Sequence, residues 1–169
     1  MSRAATRRSW IFLWVCLAGG CSSEARSPAG RGADDADKVR EQFVAFQNAL
    51  QARDGERIWG LLDSDSRADA ERAAKTAQSN YERGSPEEKD KLKEALGLTD
   101  AELAKLTATG FLKSNRFHGK YHEIPGSKID DVKVQGEEAI VSYTEADGDK
   151  EKLTFHRRDG QWRISVRMP

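Results

Sequence analysis

VREQFVAFQNAL, residues 39–50, decides the fold. Val39, Phe43, Phe46 and Leu50 are separated by four, three and four positions, one stripe of a helix with a period near 3.6. Lys38, Arg40, Glu41, Gln42 and Gln47 fill the other faces. A stripe carrying two phenylalanines needs an apolar surface to cover it. Downstream, Arg53-Asp54-Gly55 breaks the run, and Gly55 suits the left-handed residue past a helix end. A short helix follows with Ile58, Trp59, Leu61 and Leu62 as contacts, and Asp63-Ser64-Asp65-Ser66 ends it with caps for the next.

Residues 66–83 are helical by propensity but offer only a thin stripe of Ala70, Ala73, Ala74, Ala77 and Tyr81. Ser85-Pro86-Glu87-Glu88 is a start signal: Ser caps, Pro takes the first turn, and Glu88 reaches back. Gly97 closes that helix. Thr99-Asp100-Ala101-Glu102 repeats the capping pattern for a helix anchored by Leu103 and Leu106 and closed at Gly110, and Phe111, Leu112 and Phe117 are expected to be buried in a short helix or turn. After Pro125-Gly126 the period becomes two. Val132/Val134, Ala139/Val141/Tyr143, Leu153/Phe155 and Trp162/Ile164/Val166/Met168 form four alternating runs joined at Gly136-Glu137, Asp147-Gly148-Asp149 and Asp159-Gly160. Residues 120–124 add a possible fifth strand. Helices first and a sheet last define an α+β class. The N-terminal helices are expected to pack on one face of a four- to five-stranded antiparallel sheet, with the Phe43/Phe46/Leu50 stripe as cover.

The N-terminus reads as an address. Arg3, Arg7 and Arg8 precede nine apolar residues, Trp10 to Ala18, and small residues follow. Nine is far short of the roughly 20 that cross a bilayer and matches a secretory signal. Leu17-Ala18-Gly19-Gly20-Cys21 resembles the lipobox of bacterial lipoproteins, with Ala18 standing where Leu is commoner. That resemblance implies a signal peptide over 1–20 and acylation of Cys21, which becomes the mature N-terminus. The other reading is an ordinary cleaved signal with a chance cysteine. Thr6-Arg7-Arg8-Ser9-Trp10 also hints at twin-arginine export, although arginine pairs are common in such leaders. Each buried methylene contributes about 0.8 kcal/mol to membrane association, so a multiply acylated cysteine is a lasting anchor.

Residues 22–37, SSEARSPAGRGADDAD, hold nothing apolar larger than alanine and are expected to form a flexible linker behind Cys21, leaving 38–169 as one domain. The chain has 28 Lys+Arg and 28 Asp+Glu; without Arg3, Arg7 and Arg8 the mature form is about −3. That balance gives no reason to expect nucleic acid. Of two cysteines, Cys16 leaves with the signal and Cys21 is acylated, so no disulfide or cysteine metal site is expected.

FVAFQNALQARDGERIWGLL, residues 43–62, resembles the opening helices of nuclear transport factor 2-like domains, and DGQWRISV, residues 159–166, resembles their last hairpin and strand. The resemblance implies a cone over residues 36–169, in which a bent sheet wraps a long helix around a pocket. Some enzymes of that superfamily use a pocket Asp or His as general acid or base. Asp63 and Asp65 are the nearest candidates by place in the chain, against the plainer reading that they cap helices. His118 and His122 stand four apart, but Gly119 interrupts and Tyr121 to Ile124 read as extended, so they are taken as surface histidines rather than metal ligands. His156 alternates away from Leu153 and Phe155, toward solvent or an outer partner. Tyr143 and Trp162 share the inward side of the sheet, where they form core or line a ligand pocket. No cofactor motif is present in the sequence. The expectation is an exported lipoprotein, anchored to the membrane through Cys21, whose domain binds an envelope partner or small ligand. An isomerase- or hydratase-like enzyme with a pocket Asp is the alternative.

Overall fold

The computed structural model describes residues 28–169, with side chains from residue 33 onward. The chain is α+β: helices first, then four antiparallel strands. Helix α1, Pro28–Gln51, lies across the sheet against β1 (Lys128–Gln135), β2 (Glu138–Thr144) and β4 (Gln161–Ser165). Its stripe is the centre of the molecule. Val39, Phe43 and Phe46 are wholly buried, and the Phe43 ring packs on Tyr143 at 5.2 Å between centroids. The remaining strand, β3 (Lys150–Arg158), sits between β2 and β4 in the order β1-β2-β3-β4.

The linker expected over 21–37 is helical from Pro28 onward. Composition alone misleads there, because the segment continues a strong helix and is tied at a distance. Asp35 is buried and accepts a 2.8 Å hydrogen bond from Arg157 on β3, whose guanidinium also stacks on the Trp162 ring. Residues 1–27, including the signal segment and Cys21, lie outside the described residues.

Caps fix the helix starts. Asp54, Asp63, Thr107 and Ser114 each accept from a backbone N–H three residues on, ahead of α2 (Gly55–Leu61), α3 (Ser64–Arg83), α6 (Ala108–Phe111) and α7 (Asn115–Lys120). Full capping boxes start α4 (Pro86–Leu96) and α5 (Asp100–Leu103). The helix expected from Thr99 to Gly110 is two short ones: Thr107 begins a new turn, so Gly110 lies inside α6 rather than ending a helix. Gly55 also differs from expectation. The left-handed residue after α1 is Arg53, at φ 50°, and Gly55 opens α2. A Cβ at Gly55 would overlap the Thr109 carbonyl oxygen, so glycine is needed there for a close crossing of α2 and α6. The small residues of α3 allow close packing, and Ala74 and Ala77 join Leu96, Leu103, Leu106 and Phe111 in a second buried cluster.

The strands alternate as their period requires: Ala139, Val141, Tyr143, Leu153, Phe155, Trp162 and Ile164 face α1. Gly136 at φ 64° and the Asp159-Gly160 pair at 51° and 74° supply the turns that match the twist of paired strands. The fifth strand considered at 120–124 does not form. Helix α7 ends at Lys120, and Ile124–Gly126 is a 3-10 turn pinned by Gln47, whose amide donates to the carbonyls of Ile124 and Ser127.

Candidate functional site

The outermost strand stops early. Thr154–Ser165 is the last pair between β3 and β4, and the chain then leaves the sheet. The Val166 N–H, which like the Ile164 carbonyl points away from β3, donates to Ser66 Oγ at 2.8 Å. The Arg167 carbonyl accepts from the Tyr121 hydroxyl at 2.6 Å and from Lys120 Nζ at 2.8 Å. Residues Lys150–Leu153 consequently have no strand neighbour on that side among the described residues. The divergence opens a cleft of about 710 Å³ whose lining includes Lys120, Tyr121, Tyr143, Glu151, His156 and Arg167. It is lined by more polar than apolar groups and is open to solvent.

At one rim stands a paired acid and base. A parallel bridge from Leu62 to Ile164, with the Asp63 N–H donating to the Ile164 carbonyl at 2.9 Å, seats Asp63 beside β4. Asp63 is buried. One of its oxygens accepts from the Ser66 N–H at 2.8 Å, and the other lies 3.0 Å from His156 Nδ1. Burial alone pushes this carboxyl up, but hydrogen bonds from the Ser66 side chain and backbone and from His156 outweigh it and hold Asp63 below its ordinary value. A carboxylate so held is a poor base near neutral pH. It is suited instead to orienting an imidazole: with the Nδ1 proton directed to Asp63, a neutral His156 keeps its lone pair on Nε2.

The aromatic floor is strongly perturbed. Burial pushes the Tyr121 hydroxyl up to about 12, and burial with the nearby charges of Glu145 and Glu151 pushes Tyr143 still further. Glu145 is itself raised, first by burial and then by Asp147 and Glu151. Both phenols therefore remain neutral hydrogen-bonding groups near pH 7.

The residues singled out from the sequence do not converge on one site. Asp63 is the N-cap of α3, whereas Asp65 is exposed in that helix's first turn. Tyr143 is buried and reaches the cleft, but Trp162 is core and borders a different, smaller hollow of about 280 Å³ beside Lys38 and Gln42. His118 is not a surface histidine. Ser114 starts α7, the helix runs through Gly119, and Phe117 and His118 turn inward, leaving His118 8% exposed with no partner at Nε2. His122 stays exposed and pairs with Glu123 at 2.8 Å. Among the described residues no three His, Cys, Asp or Glu side chains come together as a metal site, and no helix is long and apolar enough to cross a membrane.

The partnership of His156 with Asp63 spans 93 positions in the chain. The sequence carried half of it: alternation places His156 on the face away from the core. What it did not carry is that the α2–α3 junction folds onto that face. Neither family models nor curated proteins nor solved structures show a match to this chain.

Proposed function

We propose that this chain is a cell-envelope lipoprotein, anchored through acylated Cys21, whose domain binds a partner or small ligand in the cleft between α7 and the parted ends of β3 and β4. One observation carries the binding reading. The concavity of the sheet is filled by Phe43, Phe46 and Phe155, each fully buried, so the accessible recognition surface is the open cleft rather than an enclosed pocket. Aromatic floor, walls that carry Lys120, Lys152 and Arg167 together with Glu145 and Glu151, and uncommitted backbone are features of a surface that selects by shape and hydrogen bonding.

The anchor and the cleft are tested separately. Mass spectrometry of the exported protein should find the mature N-terminus at Cys21 carrying acyl chains, and Cys21→Ser should release the protein from membranes; a free amine or an intact leader there ends the lipoprotein reading. For the cleft, a fragment and peptide screen on the 15N-labelled domain should shift the amides of 120–121, 151–156 and 165–167 together. Shifts confined to other surfaces refute the cleft.

The 3.0 Å contact between His156 and Asp63 at the rim favours one second reading. In it the domain is an isomerase- or hydratase-like enzyme, with His156 rather than Asp63 moving the proton and Asp63 as a positioning residue. His156→Gln separates the two. It abolishes turnover if the enzyme reading holds and leaves a cleft ligand's affinity within a few-fold if it does not.

A further inference from the structure

We infer that the cleft takes an extended polypeptide segment of a partner protein, which adds as a strand to the free edge of β3 at Lys150–Leu153; this rests on the cleft being the binding surface. Strand addition needs unpaired backbone donors and acceptors on an accessible edge. Lys150–Leu153 pair with β2 through Val141–Thr144 on one side only, because β4 ends opposite Thr154. The edge is kept open by specific bonds. Tyr121 with Lys120 takes the Arg167 carbonyl, the group that would have continued the β4 ladder toward Lys152, while Ser66 holds the Val166 N–H on the far side of β4. The four residues span about 13 Å at the rise of a strand, and the backbone groups of Lys150 and Lys152 face outward along it while those of Glu151 and Leu153 are turned to β2.

The charge pattern selects the occupant. Lys150 and Lys152 point to the outer face, and Leu153 points inward beside Tyr143 and Val166, which also line the cleft. A second copy of this chain is a poor fit. Two antiparallel edges related by a two-fold place residues of the same face opposite one another. Centred on Glu151, that sets Glu151 on its copy and Lys150 on Lys152; centred on Lys152, it sets Lys152 on its copy. Like charges directly opposite destabilise a strand pair. A foreign segment that alternates acid with apolar residues meets neither problem. Its acids face Lys150 and Lys152, and its apolar side chains lie over Leu153. Glu151, on the inward side, disfavours a further acid at the position opposite it.

The probe is a doubly blocked peptide Glu-Val-Glu-Val-Glu added antiparallel to β3, compared with Lys-Val-Lys-Val-Lys and with the acidic peptide N-methylated at two glutamates, the residues whose N–H groups face Lys150 and Lys152. The N-methylated peptide keeps every side chain and loses two backbone donors. The acidic peptide should bind the 15N-labelled domain, shift amides 150–154, and slow hydrogen exchange at Lys150 and Lys152, whose amides face the free edge. Affinity should fall at least tenfold on N-methylation, and Lys150→Glu/Lys152→Glu should reverse the preference toward the basic peptide. Both substitutions are at exposed positions, and a far-ultraviolet spectrum matching the parent shows that the variant folds. Equal binding of the N-methylated peptide overturns strand addition while leaving the cleft as the binding surface. Binding of none of the three peptides, with small fragments still mapping to the cleft, overturns the inference and spares the broader reading. If neither peptides nor fragments touch the cleft, both fail.

Discussion

His118 is a buried base held in its neutral form. Burial is the larger cause, and the Arg53 guanidinium adds to it, so its folded pKa lies below the ordinary histidine value, against a weaker opposing hydrogen bond to the Leu112 backbone. Above about pH 6.5 the ring is neutral in both folded and unfolded chains and costs nothing. As pH falls through that value the unfolded chain binds the proton first, so the folded state loses stability progressively. Urea unfolding at pH 7.5 and pH 5.5 should show the loss, and His118→Gln should flatten the difference; an unchanged pH slope in the variant would remove this explanation. Gly55 is constrained sterically rather than electrostatically. Gly55→Ala should cost about 1–3 kcal/mol, the usual range for overpacking, because the Thr109 carbonyl oxygen occupies the Cβ position. Gly119, whose Cβ direction is open, is the control: the same change there should leave the midpoint unaltered or raised.

At the level of elements, α1 has two unlike halves. Its C-terminal half is held by the buried stripe, while its N-terminal half depends on Asp35 and Arg157. That ion pair is mostly buried, with side-chain exposures of 8% and 27%, so removing one partner leaves a charge poorly solvated. Asp35→Ala should therefore loosen residues 28–37 without unfolding the domain. Amide exchange in that segment should quicken at least tenfold while exchange at residues 43–50 stays slow; uniform quickening would mean that the two halves are one cooperative unit. The helix starts were largely legible, because a capping box is a local arrangement of four residues and needs no tertiary help. Two departures from the local signal also lie at this level. The split between α5 and α6 depends on a second cap at Thr107, a single side chain that the apolar spacing of Leu103 and Leu106 does not announce. The helix through Gly119 forms although glycine counts against helix locally, because Phe117, ring to ring with Tyr121 at 5.0 Å, gains enough from burial to override it.

For the molecule as a whole, one residue reports on everything. Phe46 is fully buried between the sheet and α7, edge-on to Tyr121 at 6.3 Å. Phe46→Ala should cost about 3–5 kcal/mol in a thermal or urea titration, a large share of the 5–15 kcal/mol typical of a domain. It should also loosen the Tyr121 hydroxyl that holds Arg167 off the sheet, so the cleft and the core are coupled. A variant that lost less than 1 kcal/mol would show that Phe46 is not at the centre of the fold.

Sequence by itself determined the α+β order, the covering stripe, the inward face of each strand and the two capping boxes at Ser85 and Thr99. Each is a matter of period or of neighbours within four positions, and such patterns are written along the chain. Tertiary structure alone decided that Asp63 meets His156, that Asp35 meets Arg157, that His118 is buried, and that β4 parts from β3 at Ser165. Those outcomes turn on single hydrogen bonds and contacts between segments as much as 122 positions apart, and no local pattern encodes which distant group will be the partner.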